Sequence, residues 1–187
     1  MNTLKVVLVD DHRIIRDGIR SYLDDDEKYT VIGEANSGEE ALTLLETLTP
    51  HLVIMDISMG GIDGIECTRQ INQQWPEVKV VALTMLNEPQ YIRQMMDAGA
   101  SAYLLKNSDD HEVKAALEAA MRGETYYSPE VTSIVMNSLL GKAAVTLDDT
   151  SKHRCNQAWI DFAQLIPVVL IQKEFFKYRF SQLIFHH

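Results

Sequence analysis

The sequence predicts a doubly wound α/β domain over residues 1 to about 125, with helices on both faces of a five-stranded parallel sheet. Three observations predict it. Short runs of apolar, largely β-branched residues recur at 4–9, 30–33, 52–55, 78–83 and 102–105. Helical patterns with start and stop signals separate them. Polar residues able to do chemistry directly follow four of the five runs.

The first run, Leu4-Lys5-Val6-Val7-Leu8-Val9, is almost continuously apolar. That marks a strand covered on both faces rather than one with a wet side. After the second run, Ser37-Gly38-Glu39-Glu40 forms a capping box ahead of Ala41, Leu44, Leu45 and Leu48. After the third, Asp63-Gly64-Ile65-Glu66 opens a helix in a similar way, with aspartate as the cap. After the fourth, Asn87 can cap a helix that presents Ile92, Met95 and Met96 and stops at Gly99. After the fifth, Asp109 or Asp110 can cap Val113, Ala116, Leu117, Ala120 and Met121, and Gly123 ends that helix. The order is βαβαβαβαβα.

Ser128-Pro129 then starts one more helix, with proline at its favoured first position. Its stripe of Val131, Ile134, Val135 and Leu139 ends at Gly141. Residues 126–141 read as a linker helix. A sixth helix packed on the domain fits the same pattern equally well. Residues 142–187 form a different kind of sequence. Lys142 to Asn156 is polar and unperiodic, and Pro167 interrupts the helical spacing of Trp159, Phe162, Leu165 and Ile166. No repeat and no low-complexity tract occurs.

Charge divides the chain at the same place. Formal net charge is −10. Residues 1–141 hold 11 Lys+Arg against 23 Asp+Glu, and residues 142–187 hold 6 against 4. So acidic a surface argues against a non-specific nucleic-acid binder, because phosphate backbones repel it. Cys67 and Cys155 give no disulfide framework and no metal spacing, which places the chain by default in a reducing cytoplasm. No signal peptide and no apolar stretch long enough to span a bilayer is present, so no membrane partner is expected.

The polar residues at the run ends carry the functional reading. Asp10 and Asp11 follow the first run, Asp56 the third, Thr84 the fourth and Lys106 the fifth. Open parallel sheets bind ligands beyond the carboxyl ends of their strands, at the switch in strand order. These five side chains are therefore expected in one crevice. Alone, each has an ordinary explanation: an aspartate after a strand caps a helix, and a lysine is a solvated charge. Together they make a set. Three carboxylates at close range repel unless a cation sits among them, and a hard divalent ion with oxygen ligands answers that. A carboxylate can attack phosphorus to give an acyl phosphate. Lys106 supplies a compact positive charge and Thr84 a hydroxyl. Gly60, Gly61 and Gly64 keep the loop after Asp56 permissive. His12 reads as a helix-start residue rather than a ligand, and Asp24-Asp25-Asp26-Glu27 as a solvated loop. No Walker A or dinucleotide fingerprint is present.

Val9-Asp10-Asp11-His12, Ile54-Met55-Asp56, Met59 to Gly64 (MGGIDG), Ala82-Leu83-Thr84 and Gly99 to Lys106 (GASAYLLK) resemble the signature blocks of bacterial two-component response-regulator receiver domains. The resemblance covers residues 4 to about 124. It implies a flavodoxin-like fold with strand order 2-1-3-4-5. It also implies that Asp56 is the phospho-acceptor and that Mg²⁺ (or Mn²⁺) is held by Asp10, Asp11, Asp56 and the backbone carbonyl of Ser58. Thr84 and Tyr103 would be the pair that moves on phosphorylation, and Lys106 the lysine that contacts the phosphoryl group. The implied partners are a sensor histidine kinase and a second copy, met through the face of the fourth helix, fifth strand and fifth helix.

Two departures stand out. Gly60 and Asn107 occupy positions where many receivers have proline. Tyr103 to Asn107, and Gly123-Glu124 before Ser128-Pro129, resemble the NarL/FixJ subgroup, whose members continue into a LuxR-like helix-turn-helix DNA-binding domain. Nothing after Gly141 resembles the Leu-Thr-x-Arg-Glu opening of that domain, so no DNA-binding residue is identified. The atypical tail 142–187 is either a divergent appendage or the product of a frameshift or truncation, and we favour the second because charge and helical pattern change together at Lys142. DNA is then a partner only if the intact gene product has a helix-turn-helix.

Other functions compete with this reading. A receiver acting by protein contact alone is one. An aspartyl-phosphate phosphatase of the haloacid-dehalogenase type is another. Such enzymes want Asp-x-Asp, and Asp56-Ile57-Ser58 lacks the second carboxylate. The sequence therefore points to a phosphorylated switch, regulating transcription in its full-length family context, and not to an enzyme, with autodephosphorylation as the most it would catalyse.

Overall fold

A computed structural model describes residues 3–144. Six strands form one parallel sheet: β1 (Leu4–Val9), β2 (Tyr29–Ala35), β3 (Leu52–Met55), β4 (Lys79–Thr84), β5 (Ala102–Leu105) and β6 (Tyr126–Tyr127). Their order is β2-β1-β3-β4-β5-β6, and every neighbouring pair is parallel. The helices are α1 (Arg13–Asp24), α2 (Gly38–Leu45), α3 (Gly64–Gln74), α4 (Pro89–Asp97), α5 (Asp110–Met121) and α6 (Pro129–Ala144).

The alternation of side chains along each strand builds two cores. Val7, Val9, Val53, Met55, Val80, Ala82, Tyr103 and Leu105 face one side, where α2, α3 and α4 bury Ala41, Leu45, Ile65, Ile71, Ile92 and Met95 against them. Val6, Leu8, Leu52, Ile54, Val81, Leu83, Ala102 and Leu104 face the other, against Leu23 of α1 and Val113, Ala116, Leu117 and Ala120 of α5. A strand covered twice has no polar alternation, which is why the runs read as continuous.

The expected caps form at three helices. Ser37 accepts from the Glu40 amide, Asp63 from Glu66 and Asp109 from Glu112. The fourth differs: Glu88, not Asn87, stands at the N-cap of α4, and it makes no side-chain cap bond. Pro89 decides this, because its fixed φ suits the first helical position and its missing N–H costs nothing there.

The sheet has a sixth strand where five were expected. Tyr126 and Tyr127 lie in register with Ala102 and Tyr103. The Tyr126 amide donates to the Ser101 carbonyl and the Ser128 amide to that of Tyr103. Two residues are too few for periodicity, so the strand left no pattern in the sequence. It satisfies the otherwise bare edge of β5. Helix α6 follows at once. Val131 is fully buried in the core that holds Tyr103, with Ile134 and Val135 packed against it. Of the two patterns open for this segment, the structure has the packed helix at its N-terminal end.

Among the described residues, no helix is long and apolar enough to cross a membrane. The interrupted helical spacing expected near Trp159, the missing helix-turn-helix and the frameshift origin of the tail all fall outside the described residues.

Candidate functional site

The carboxyl edge of the sheet holds the site. Asp10 follows β1 and Asp56 follows β3, the adjacent inner strands on either side of the switch in order. Their backbones are fixed by sheet bonds, the Asp10 amide donating to Ala35 and the Asp56 amide to Val9. Thr84 ends β4, and Lys106 comes directly after β5.

Asp10, Asp11, Asp56 and Lys106 gather here, and Thr84 is joined to them through its carbonyl, which accepts from the Lys106 amide. Lys106 Nζ lies 2.7 Å from Asp10 Oδ2 and 2.7 Å from Asp56 Oδ2. Asp10 and Asp56 are 3% and 2% exposed, so the lysine links two carboxylates that water barely reaches. Burial pushes the Lys106 ammonium toward losing its proton. The bonds to Asp10 and Asp56, with the charges they carry, overcome that and hold its pKa above the ordinary lysine value. Asp11 sits beside them, more exposed than Asp10.

Thr84 and Tyr103 meet through a third residue. Thr84 Oγ1 accepts from the Leu86 amide at 3.3 Å, and the Tyr103 hydroxyl donates to the Leu86 carbonyl at 2.8 Å. Both side chains thus grip one residue of the loop between β4 and α4. Tyr103 is fully buried. Burial, and then the charges of Glu88 and Asp56, raise its phenol pKa far above the usual value. Ser58 lies in the loop after Asp56, and its amide donates to Asp56 Oδ1 at 3.3 Å.

Three supporting residues were not among the expected site residues. Glu39, in the first turn of α2, accepts from the Ile62 amide at 2.8 Å. This fastens the loop after Asp56 despite its glycines, one of which, Gly61, has φ +77°. Arg16 donates to the Asp10 carbonyl and is itself held by Glu34. His12 turns its ring to the acidic pair, 2.6 Å from Asp11 Oδ1. The sequence pattern fixes helix ends, but not which way a surface side chain on a first turn reaches. No signal in it could have found these three.

Asp10, Asp11, His12 and Asp56 each offer a ligand atom, and these atoms all lie within 4.8 Å of one another. Three carboxylates against one lysine ammonium leave two negative charges, which one divalent cation balances. At an effective dielectric constant of ~20, unit charges about 4 Å apart interact by roughly 4 kcal/mol, so the balance matters. The three carboxylates among these donors are hard oxygens at a partly open position, and they fit a hard cation that keeps some of its waters.

Residues 6–118 match the family model described as response regulator receiver domain. Response regulator protein VraR of Staphylococcus aureus (strain NCTC 8325 / PS 47) is 38% identical over 141 residues, which are 75% of this chain and 68% of VraR. The two-component response regulator of the LuxR family from Aurantimonas sp. SI85-9A1 superposes with TM-score 0.71 at 34% identity, covering 74% of this chain and 99% of that one. RcsB from Salmonella enterica serovar Typhimurium, bound to promoter P1flhDC in the presence of the phosphomimetic BeF₃⁻, superposes with TM-score 0.69 at 29% identity, covering 75% and 70%.

Proposed function

The chain belongs to the response regulator receiver family, and from that premise we propose that Asp56 is the residue on which it receives a phosphoryl group. The single observation that supports this most is the Lys106 ammonium, seated 2.7 Å from both Asp10 and Asp56 at the rim of the sheet.

In this reading the donor is a phosphohistidine on a sensor kinase. An Asp56 carboxylate oxygen attacks phosphorus, the phosphorus–nitrogen bond breaks, and the electron pair leaves with the imidazole, giving an aspartyl phosphate. Asp10, Asp11, Asp56 and the Ser58 carbonyl would hold Mg²⁺ (or Mn²⁺), which would supply positive charge to the phosphoryl oxygens. Lys106 moves from the carboxylates to a phosphoryl oxygen. Thr84 turns its hydroxyl toward another, and so lets go of the Leu86 amide. Tyr103, bonded to the same residue, follows. The change therefore spreads to the loop before α4.

The output acts by contact. The face of α4, β5 and α5 is the proposed homodimer surface, and a transcriptional output requires a DNA-binding domain in the intact gene product. Residues 1–125 form the receiver in this proposal, 126–141 connect it onward, and 142–187 are the tail. Chemistry beyond accepting the group and hydrolysing it is not proposed, and the setting is cytoplasmic.

Incubation with radiolabelled acetyl phosphate tests the reading. Label is expected on the wild type with Mg²⁺, and not with EDTA or on Asp56→Asn. Equal labelling of Asp56→Asn would sink it.

A further inference from the structure

His12 is the N-cap of α1, where a polar side chain ordinarily turns back to accept from the helix's first amides. Here it makes no cap bond. Its ring points the other way instead, with Nδ1 2.6 Å from Asp11 Oδ1 and 3.3 Å from Asp10 Oδ1. The backbone supports this direction, because the His12 amide donates to Asp10 Oδ1 at 2.8 Å. Packing does not force it, since the imidazole side chain is 67% exposed.

The ring nitrogen is one of the four ligand atoms that share a 4.8 Å envelope. Donors on one octahedral ion at ~2.1 Å stand ~3.0 Å apart when adjacent and ~4.2 Å when opposite, so Nδ1 and Asp11 Oδ1 would have to part slightly and the wider separations to close. Side chains at the mouth of the pocket can supply that movement.

Resting on the metal-dependent reading above, we propose that His12 is a nitrogen donor to this site and biases it toward borderline transition-metal ions over Mg²⁺. Magnesium prefers an all-oxygen shell, whereas imidazole suits the later first-row ions. With carboxylates alone the pocket would be a hard-ion site. With His12 it discriminates, so the ion that supports phosphorylation depends on which metals are available.

The test is calorimetric titration of the full chain with Mg²⁺ and with Co²⁺, alongside the visible spectrum of the Co²⁺ complex. Wild type is compared with His12→Ala, His12→Asn and Asp11→Asn. The other five histidines remain in every variant, so any site they form cancels in the comparison. The ratio of Mg²⁺ to Co²⁺ dissociation constants is expected to fall about tenfold or more in both His12 variants, with the Co²⁺ band shifted. Mg²⁺ affinity should stay close to wild type in these variants and drop in Asp11→Asn. An unchanged ratio and an unchanged spectrum in the His12 variants would overturn the proposal, while an Asp11-dependent Mg²⁺ site would still stand. Mg²⁺ binding indifferent to Asp11→Asn would overturn the metal reading itself.

Discussion

Lys106 is the residue whose loss the pocket can least absorb. Its ammonium separates Asp10 and Asp56, which water does not screen. Removing one member of a buried charge set leaves the others uncompensated, and such losses cost about 3 kcal/mol or more. We predict that Lys106→Ala is destabilised by about that much in EDTA, and that millimolar Mg²⁺ restores it more than it stabilises the wild type. Urea unfolding with and without Mg²⁺ checks both parts, and a variant as stable as wild type in EDTA contradicts them. The pH dependence has a definite sign. The folded-state pKa of Lys106 is raised, so its contribution is complete below the ordinary value of 10.5 and fades as pH rises through the elevated folded value. The stability gap between wild type and Lys106→Ala should therefore persist through neutral pH and fade in strong alkali. These side chains were legible in sequence because each sits at a strand end, where an open parallel sheet must place it in the crevice. The bond of both Thr84 and Tyr103 to Leu86 was not, since periodicity says nothing about a loop backbone.

The loop that joins β3 to α3 holds the pocket at the next scale up. A Cβ on Gly64 would meet the Asp56 carbonyl oxygen at 2.0 Å and the Ile57 Cα at 2.8 Å. Neither is a flexible side chain, so the backbone beside Asp56 would have to shift. Gly64→Ala is predicted to destabilise the fold by about 2 kcal/mol and to weaken Mg²⁺ binding, because it moves the segment that presents Asp56 and Ser58. Calorimetry and thermal unfolding check this together, and normal Mg²⁺ affinity would count against the close approach. Element starts were the most readable feature here. Ser37, Asp63 and Asp109 cap where the sequence puts them, as a short side-chain oxygen is the cheapest way to satisfy orphan amides. Asn87 fails as a cap because Pro89 moves the helix start by one residue. Strand β6 was not legible, because its only cause is the free edge of a neighbour.

Across the molecule, the topology explains why so few residues make a pocket. Crossovers through helices bring the ends of β1, β3, β4 and β5 to one rim, so residues 50 apart in the chain, such as Asp56 and Lys106, touch. The same sheet reaches past the expected end of the domain. β6 pairs with the strand that carries Tyr103, and Val131 of α6 is buried beside it. Asn107, next to Lys106, donates to Glu130 in the first turn of α6. A chain cut after residue 125 would expose the β5 edge and empty the Val131 site. It is predicted to be less stable than a chain ending at 140 by about 2 kcal/mol or more, and more prone to associate. Equal urea midpoints for the two would show that β6 and α6 add nothing to the fold.

Reductive trapping reads the site of the covalent bond itself. The full chain, incubated with acetyl phosphate and Mg²⁺ and then with borohydride, should carry homoserine at position 56 and at no other aspartate on peptide mass mapping. Homoserine at Asp10 or Asp11, or phosphoryl label with position 56 unreduced, would contradict the account.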